Sequence, residues 1–400
     1  MLDQTFDEAV HIIDKLNNNG YQAYFVGGCV RDYLINRTIS DIDIATSAPP
    51  EKVQQLFPNV IPVGLEHGTV IVRHKNKSYE VTTFRVDGKY SDKRRPDNVK
   101  FIQTIDDDLK RRDFTINALA MDHSGDIIDL FDGMNDLKHK IIRTVGNGRE
   151  RFDEDPLRVI RALRFSSQLG FEIDPETINN MKIIAPEISK LAVERVRTEI
   201  TKFFGGLFIK NGLEYLKRTE IHLYLPVMIN YPYIIGNLPS NFIPLKSFSE
   251  VVTLFHYLES NIPIKEWLDS WKCSNQEKKE VRHLIKAVNY YKVNGIDNRF
   301  LYCLQQKYID AFMRLITMID PSSLVTKAEL LTIYNSLPIH SRQELQINGQ
   351  DLITLFPNKD KGPWIKEALN ELEDFVVQNH VLNKKTELKD WVKWNPPGTN

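Results

Sequence analysis

Cysteine is scarce in this chain of 400 residues. Its three cysteines, Cys29, Cys273 and Cys303, stand far apart and form no CxxC pair, so neither a disulfide framework nor a zinc site is supported. A reducing, cytoplasmic compartment suits such a chain. No apolar run approaches the ~18 residues of a membrane span. No basic stretch precedes an apolar one near the N-terminus, so we expect no signal peptide and no membrane partner.

An excess of charge of either sign is also missing. The 52 Lys and Arg residues against 53 Asp and Glu residues give a formal net charge of −1. Proteins that bind nucleic acid usually carry a basic footprint, so composition alone gives no sign of that partner, and a site for an acidic substrate has to be local. The glycine-rich patterns GxGxxG and GxxxxGK[ST] are absent, which argues against a Rossmann unit and a Walker loop.

Secondary-structure signals change near residue 140 of this chain, whose length suggests two to four domains. Before that point an amphipathic helix (1–20) is followed by mixed signals, with strands at 21–26 and 41–45, a helix at 30–35, and a hairpin of 69–73 and 78–83 around a turn at 74–77. After it, helices are predicted at 155–169, 192–204, 248–259, 276–291 and 364–378. These patterns predict an α+β head with a mixed sheet and helices, followed by an all-α remainder.

The stretch FVGGCVRD (25–32), followed by DID (41–43), contains the first chemical motif. Gly27 and Gly28 have no Cβ, so the backbone there can approach an anion closely. The helix start that follows and Arg31 both favour phosphate. Asp41 and Asp43 lie two residues apart on a predicted strand and therefore point to one face. Paired carboxylates suit Mg²⁺ ions that clamp the attacking and leaving oxygens of a phosphoryl transfer.

Two further elements have equally plausible structural readings. Glu80, on the predicted strand at 78–83, either faces the same metals or accepts a proton, or is a surface glutamate. In RRDFTINA (111–118), Arg112 suits a triphosphate and Asp113 suits the cap of a helix. Taken alone, this second stretch is more often a surface charge cluster.

The segment EDPLRVIRALRF (154–165) points to base recognition. On one continuous helix, Glu154, Asp155, Arg158 and Arg161 fall within an arc of about 120°, and such a face is ordinarily an ion-pair ladder. The sharper interpretation uses Asp155 and Arg158 as a pair. An aspartate that accepts from an exocyclic amino group, beside an arginine that donates to a ring nitrogen, matches cytosine and adenine and leaves guanine and uracil unpaired.

These motifs, in this order, resemble the class II tRNA nucleotidyltransferases, the CCA-adding enzymes of bacteria. The resemblance rests on GGCVRD…DID (27–43), RRDFTINA (111–118), DLFDGMNDL (129–137), EDPLRVIRALRF (154–165) and, less specifically, AVERVRTEITKFF (192–204). It implies a head with a palm of the polymerase β superfamily (1–137), a neck for base recognition (138–206), a helical body (207–295) and a helical tail that binds tRNA (296–400). The implied reaction adds C, C and A to the tRNA 3′ end from CTP and ATP, without a template.

The resemblance also implies roles for single residues. Asp41 and Asp43 match the catalytic magnesium ligands, and Asp155 and Arg158, oriented by Glu154, match the residues that read the base. Other positions match further nucleotide contacts, namely Gly28, Arg31, Arg112, Arg161 and Arg164. The charged segment 87–101 looks like the flexible loop that accompanies the switch from CTP to ATP. Basic residues offered for the tRNA backbone are Arg195, Arg197, Lys202, Lys217 and Arg218.

Three rivals share parts of this pattern. A bacterial poly(A) polymerase shares the head motifs but commonly has a more basic C-terminal part than this near-neutral chain. A CC-only enzyme lacks a working flexible loop, which looks complete here. A non-catalytic RNA-binding relative has no need of both aspartates and all the arginines. None of the ten histidines is followed by Asp, so no HD phosphohydrolase domain is expected. A homodimer is compatible with the sequence.

Overall fold

The structure is a computed structural model that describes residues 5–88, 90, 93 and 98–396. Its internal contacts divide the chain into two compact units, Met1–Ile235 and Gly236–Asn400. The first unit combines strands with helices, and the described part of the second is helical. The predicted order of an α+β head followed by helices is therefore confirmed.

The strands of the described residues all lie in the first unit. They are β1 (Ala23–Val26), β2 (Asp43–Thr46), β3 (Val60–Gly64), β4 (Thr69–His74), β5 (Lys77–Thr83), β6 (Arg85–Asp87), β7 (Val99–Phe101), β8 (Leu119–Met121), β9 (Ile127–Asp129), β10 (Ile141–Ile142) and β11 (Glu172–Ile173). Seven of them form one mixed sheet in the order β3-β4-β5-β2-β1-β8-β9. Within it, only the pairing of β2 with β5 is parallel, and it sets Asp43 opposite Glu80.

The α-helices of the first unit alternate with these strands at first and then follow one another. They are α1 (Asp7–Asn17), α2 (Gly28–Leu34), α3 (Pro50–Leu56), α4 (Ile105–Lys110), α5 (Gly133–His139), α6 (Gly148–Glu154), α7 (Leu157–Leu169), α8 (Pro175–Ile184), α9 (Val193–Phe204) and α10 (Ile209–Thr219). Short 3-10 helices occupy Leu65–His67, Thr115–Asn117, Ala185–Lys190 and Ile221–Tyr224.

The head packs through the patterns visible in its sequence. In α1 the buried residues Ile12, Ile13 and Leu16 recur at helical spacing. Phe6, just before α1, packs against Phe25 of β1 with the two ring centroids 4.7 Å apart and the rings tilted by 55°. The predicted hairpin is β4 and β5. Its turn is shorter than predicted, because Lys75 and Asn76 both adopt positive φ and join the strands as a two-residue loop.

The helix predicted at 155–169 is interrupted near its start. Helix α6 ends at Glu154 and α7 begins at Leu157, while Asp155 is extended, with φ −144° and ψ 96°. Pro156 explains the break, since a residue that precedes proline is disfavoured in the helical region. The prediction of one continuous helix was therefore wrong, and with it the 120° arc shared by Glu154, Asp155, Arg158 and Arg161. Two short strands, β10 and β11, also pair in this otherwise helical stretch.

The described part of the second unit consists of helices. They are α11 (Phe248–Leu258), α12 (Ile264–Ser270), α13 (Asn275–Asn294), α14 (Asn298–Leu304), α15 (Ile309–Ile319), α16 (Lys327–Asn335), α17 (Gly349–Leu355), α18 (Trp364–Val377) and α19 (Lys385–Trp394). Those predicted at 248–259, 276–291 and 364–378 are confirmed within a few residues. Nowhere in the described ranges is a helix both long and apolar enough to cross a membrane.

Candidate active site

A cavity of about 750 Å³ opens in the first unit and collects most of the predicted site residues. It is bordered by the turn after β1, the segment before β2, residues 111–117, α7 and α9. Eight basic and five acidic side chains line it among the described residues, so positive charge is concentrated there in a chain that is nearly neutral overall. The predicted residues that line it are Gly28, Arg31, Asp41, Asp43, Arg112, Asp155, Arg158, Arg161 and Arg164.

The turn between β1 and α2 depends on Gly27. Its φ of +74° lies in the region that favours glycine, and a Cβ there would come within 2.8 Å of Nη1 of Arg112. At Gly28 a Cβ would be 3.7 Å from Arg31, an ordinary contact. Of the two predicted glycines, Gly27 is therefore the one whose missing side chain the packing within the protein requires.

Arg31 is held in place by two partners. Its Nη1 donates to Oδ1 of Asn117 over 2.6 Å, and its Nε and Nη2 donate to the carboxylate of Asp32 over 3.0 Å. The guanidinium is buried at the cavity wall. Arg31 therefore presents a fixed positive charge to the cavity, and Asn117 is a site residue that sequence reasoning missed.

The two aspartates of the DID motif line the same cavity from different backbone settings. Asp43 is the first residue of β2 and is half-buried, whereas Asp41 precedes the strand and is exposed. The prediction that both aspartates lie on one strand was wrong, because the strand begins only at Asp43. Burial raises the pKa of Asp43, Arg112 opposes that rise, and Asp41 adds to it. Hard carboxylate oxygens at a cavity wall suit a magnesium ion.

Glu80 lies beside this pair without joining it. In the parallel pairing it is opposite Asp43, and both residues line a smaller cavity of about 250 Å³. Burial and the neighbouring Asp43 raise the pKa of Glu80, and Arg85 lowers it. The part of the chain that the structure describes contains no group of three His, Cys, Asp or Glu side chains placed to hold a metal. Glu80 is thus adjacent to Asp43, and its role as a metal-facing residue or a proton acceptor stays a prediction.

Arg111 and Arg112 are anchored by one buried carboxylate. Oδ1 of Asp108 accepts from Arg111 over 2.8 Å, and Oδ2 lies 3.2 Å from Arg112. Burial raises the pKa of Asp108, but the two guanidiniums outweigh burial and hold the pKa below its usual value. Nε of Arg112 is buried without a partner among the described residues. Asp108 thus orients Arg112, the arginine predicted to contact the triphosphate. No sequence motif indicated this role for Asp108.

Asp113 does not cap a helix, contrary to prediction. Only a 3-10 turn, Thr115–Asn117, follows it, and no side chain caps that turn. Its carboxylate instead accepts from Arg161 over 2.7 Å and from Asn117 over 3.1 Å. Burial raises its pKa, but Arg161 and the other partners lower the pKa to about 2. The aspartate therefore ties this segment to α7, a long-range contact that overrides local capping.

Arg158 is fixed by three acceptors. Its Nη1 donates to Oε2 of Glu154 over 2.7 Å and to the backbone oxygen of Arg151 over 2.9 Å, while Nη2 donates to the oxygen of Arg111 over 3.2 Å. Glu154 also accepts from Arg151 over 2.9 Å. Glu154 therefore holds the guanidinium of Arg158, while its role in base reading stays a prediction.

Asp155 is oriented by other residues. Its Oδ1 accepts from the backbone N–H of Leu157 over 3.1 Å, and its Oδ2 accepts from Nη2 of Arg195 over 2.8 Å. Arg195 had been predicted as a tRNA contact. The structure places it, with Lys202, in the cavity wall on α9, so α9 contributes to the site rather than only to the fold.

Two arginines of α7 and Arg31 of α2 lie around one aromatic ring. Arg31, Arg161 and Arg164 lie 5.2, 5.5 and 4.3 Å from the ring centroid of Phe165. Glu199 pairs with Arg164 over 2.8 Å. Burial and the neighbouring Arg161 together lower the pKa of Arg164 to about 10, although Glu199 opposes the change. Such crowding of cations in a partly enclosed space favours a polyanion such as a triphosphate.

Seven of the fifteen residues in the charged segment 87–101, which is predicted as a flexible loop, lie outside the described residues, Arg94 and Arg95 among them. Its two ends pair as β6 and β7. Lys93, which is described, contacts Asp153 over 3.0 Å and Glu187 over 2.9 Å. Of the other predicted tRNA contacts, Lys217 and Arg218 lie in the last turn of α10, outside the cavity lining.

Family models match three stretches of the chain. A model described as the poly A polymerase head domain matches residues 23–143. A probable RNA and SrmB-binding site of polymerase A matches residues 170–231. A putative tRNA nucleotidyltransferase domain 2 matches residues 245–392. The first of these spans Asp41, Asp43 and Arg112.

Comparisons with whole proteins extend over the full chain. It is 49% identical to the CCA-adding enzyme of Oceanobacillus iheyensis, with 100% of both chains covered. It is 40% identical to the CCA-adding enzyme of Staphylococcus saprophyticus, over 98% of this chain and 99% of the relative. The crystal structure of the Bacillus stearothermophilus CCA-adding enzyme in complex with CTP is 36% identical and superposes with a TM-score of 0.86, over 98% of each chain.

Proposed function

The chain belongs to the family of CCA-adding enzymes, and we propose that it adds C, C and A in turn to the 3′ end of tRNA, using CTP and ATP and releasing pyrophosphate. One observation carries the proposal at the level of residues. A single cavity contains both the carboxylates Asp41 and Asp43 and the base-reading candidates Asp155 and Arg158. The chemistry and the choice of base are thereby assigned to one site.

In the proposed reaction the tRNA 3′-hydroxyl oxygen forms a bond to the α-phosphorus, and the bond from that phosphorus to the bridging oxygen of pyrophosphate breaks. Arg31, Arg112, Arg161 and Arg164 neutralise the triphosphate and hold it in line. Glu80 is the candidate that accepts the hydroxyl proton, since it lies opposite Asp43 in the parallel strand pair, and burial and Asp43 raise its pKa.

Asp41 and Asp43 are the proposed ligands of a divalent cation, and their hard oxygens fit Mg²⁺. When bound there, the cation would supply charge neutralisation at the reacting phosphate. Neighbouring Cys29 is a poor candidate ligand, because Mg²⁺ prefers hard oxygen ligands to sulfur; burial raises the pKa of its thiol to about 11.

Asp155 and Arg158 would read the Watson–Crick edge of the incoming nucleotide. Asp155 has only acceptors to offer and Arg158 only donors, which matches the amino group and ring nitrogen of cytosine and adenine. Uracil and guanine would leave these buried groups unpaired, and that is costly.

The division into head (1–137), neck (138–206), body (207–295) and tail (296–400) remains part of the proposal. The tail would bind tRNA, and the cytoplasm is the proposed location. The free cysteines Cys29, Cys273 and Cys303 agree with a reducing compartment.

The test uses three tRNAs that end before CCA, after its first C and after CC, each with one labelled nucleotide. We expect CTP incorporation on the first two and ATP incorporation only on the third. Asp41→Ala, which removes a proposed cation ligand, should abolish all three additions while the thermal unfolding midpoint stays near that of the wild type.

A second candidate is poly(A) addition, which the match of the head to a poly A polymerase model favours. Long A tails on unrelated RNA would support that activity and contradict CCA addition. Arrest after the second C, with no ATP incorporation, would instead indicate a CC-only enzyme.

A further inference from the structure

The two residues proposed to read the base are held by separate sets of contacts. Arg158 is fixed by Glu154 and by two backbone oxygens. The Asp155 carboxylate accepts no hydrogen bond from Arg158 among the described residues; only the backbone oxygen of Asp155 accepts from the N–H of Arg158, over 3.0 Å, and Asp155 lies in the break between α6 and α7. Because no helix continues through Asp155, the orientation of its carboxylate depends on what its side chain contacts.

Asp155 has two such contacts, and one of them comes from a distant element. The backbone N–H of Leu157 binds Oδ1, and the guanidinium of Arg195, on the first turns of α9, binds Oδ2 over 2.8 Å. The side chains of Asp155 and Arg195 are only 14% and 22% exposed. In such a setting an ion pair is screened weakly and fixes geometry strongly.

The guanidinium also has an unused donor. Nη1 of Arg195 is buried and has no hydrogen-bond partner among the described residues. Arg195 lines the same cavity as Asp155. A buried donor without a partner is uncommon in proteins, and here it belongs to the same guanidinium that binds Asp155.

We propose that Arg195 is a positioning residue for base choice, which fixes the Asp155 carboxylate so that it meets an exocyclic amino group. The inference rests on the proposed function and deepens it. Each carboxylate oxygen has two acceptor sites, and the contacts from Leu157 and Arg195 leave one free on each oxygen. The carboxylate is thereby held as an acceptor in one orientation, which cytosine and adenine satisfy.

The experiment compares CTP with UTP on a tRNA that ends before CCA. The two nucleotides have nearly the same size and differ at the edge that Asp155 and Arg158 would read. The quantity measured is the ratio of kcat/KM for CTP to kcat/KM for UTP. Because both values come from one preparation, the ratio does not depend on how much of a variant is folded.

Arg195→Gln is expected to lower this ratio by about tenfold or more, within the contribution of one good hydrogen-bonding pair to base discrimination. Arg149→Gln is the matched control, because Arg149 is exposed and lies outside the cavity lining. It should keep the ratio of the wild type. Arg195→Lys should fall between Arg195→Gln and the wild type, since an ammonium keeps the charge but not the planar fork.

A second comparison separates positioning from a general structural role. In an Asp155→Ala background, Arg195→Gln should lower the ratio no further, because its effect acts through Asp155. An equal loss of kcat/KM for CTP and UTP in Arg195→Gln, or the same drop of the ratio in both backgrounds, would overturn the proposal. If the wild type itself fails to add C to this tRNA, the proposed function fails instead.

Discussion

Three guanidiniums around the ring of Phe165 illustrate how single residues prepare this cavity. Arg31, Arg161 and Arg164 lie within 5.5 Å of the ring centroid, where like charges repel. Asp113 and Glu199 offset part of that charge, and the face of the aromatic ring attracts cations. The charge that is left over suits the phosphates of a nucleotide, so the arrangement is prepared before the substrate arrives.

Gly27→Ala tests whether the turn after β1 sets the position of Arg112. A side chain at Gly27 would be strained at φ +74° and would come within 2.8 Å of the guanidinium. We expect a stability loss of about 1 kcal/mol or more. A displaced Arg112 should also lower kcat/KM for CTP, by up to about 100-fold for a shift of about 1 Å. Urea unfolding and steady-state kinetics measure the two effects.

Gly20→Ala is the control for backbone strain alone. Gly20 has φ +84°, but nothing lies within 4 Å of the position that its Cβ would take. It should therefore lose similar stability while kcat/KM stays that of the wild type. Equal losses of activity in Gly27→Ala and Gly20→Ala would show that displacement of Arg112 does not cause the loss.

At the scale of elements, the sequence predicted what depends on local pattern. The hairpin of β4 and β5, the strand β1 and the helix α9 follow from periodicity and turn residues, and they were found within a few residues of their predicted bounds. The break at Asp155 was missed because a helical pattern was extended through Pro156. The restriction that proline places on the preceding residue was the available signal.

The partners of the site residues were mostly not predictable. Arg195 is 40 residues from Asp155 in sequence, and Asn117 is 86 from Arg31. Such contacts depend on how α9 packs on α7 and how the segment after α4 folds beside α2, and no local pattern encodes them. The sequence motifs thus identified the candidate catalytic and binding residues, whereas the tertiary structure identified the residues that orient them.

The contact between Asp113 and α7 gives a prediction for pH. The pKa of Asp113 is about 2 in the folded protein, against an ordinary value of 3.8. The ionised carboxylate thus stabilises the fold above about pH 4 and loses that contribution as the pH falls towards 2. Asp113→Asn should cost about 2 kcal/mol at pH 7, and its difference from the wild type should shrink below about pH 4.

Urea unfolding between pH 7 and pH 3 measures this difference. Asp107→Asn is the matched control, because Asp107 is exposed on the neighbouring helix α4. Its effect should stay within about 0.5 kcal/mol at every pH. A cost of Asp113→Asn that does not change with pH would exclude the ion pair as its source.

At the scale of the whole molecule, the near-neutral net charge gives no indication of the basic cavity. The chain has a formal net charge of −1, yet the cavity lining has more basic than acidic side chains. Net charge averages over a surface, whereas binding depends on local potential. A near-neutral chain is therefore compatible with substrates as acidic as CTP, ATP and tRNA.

The two units of the chain have different proposed roles. The cavity lies wholly within the unit Met1–Ile235. The unit Gly236–Asn400 contains residues 245–392, which match a tRNA nucleotidyltransferase model. Proposed tRNA binding by the tail (296–400), which lies in this second unit, leaves selection of the nucleotide to the first.

The central claim is that Asp155 and Arg158 choose the base while Asp41 and Asp43 serve the bond-forming step. The most direct measurement is the ratio of kcat/KM for CTP to that for UTP and GTP, on tRNA that ends before CCA, in the wild type and in Asp155→Ala and Arg158→Ala. We predict that both variants still join CTP but that the ratios fall by about 100-fold or more. Unchanged rejection of UTP and GTP would contradict the account.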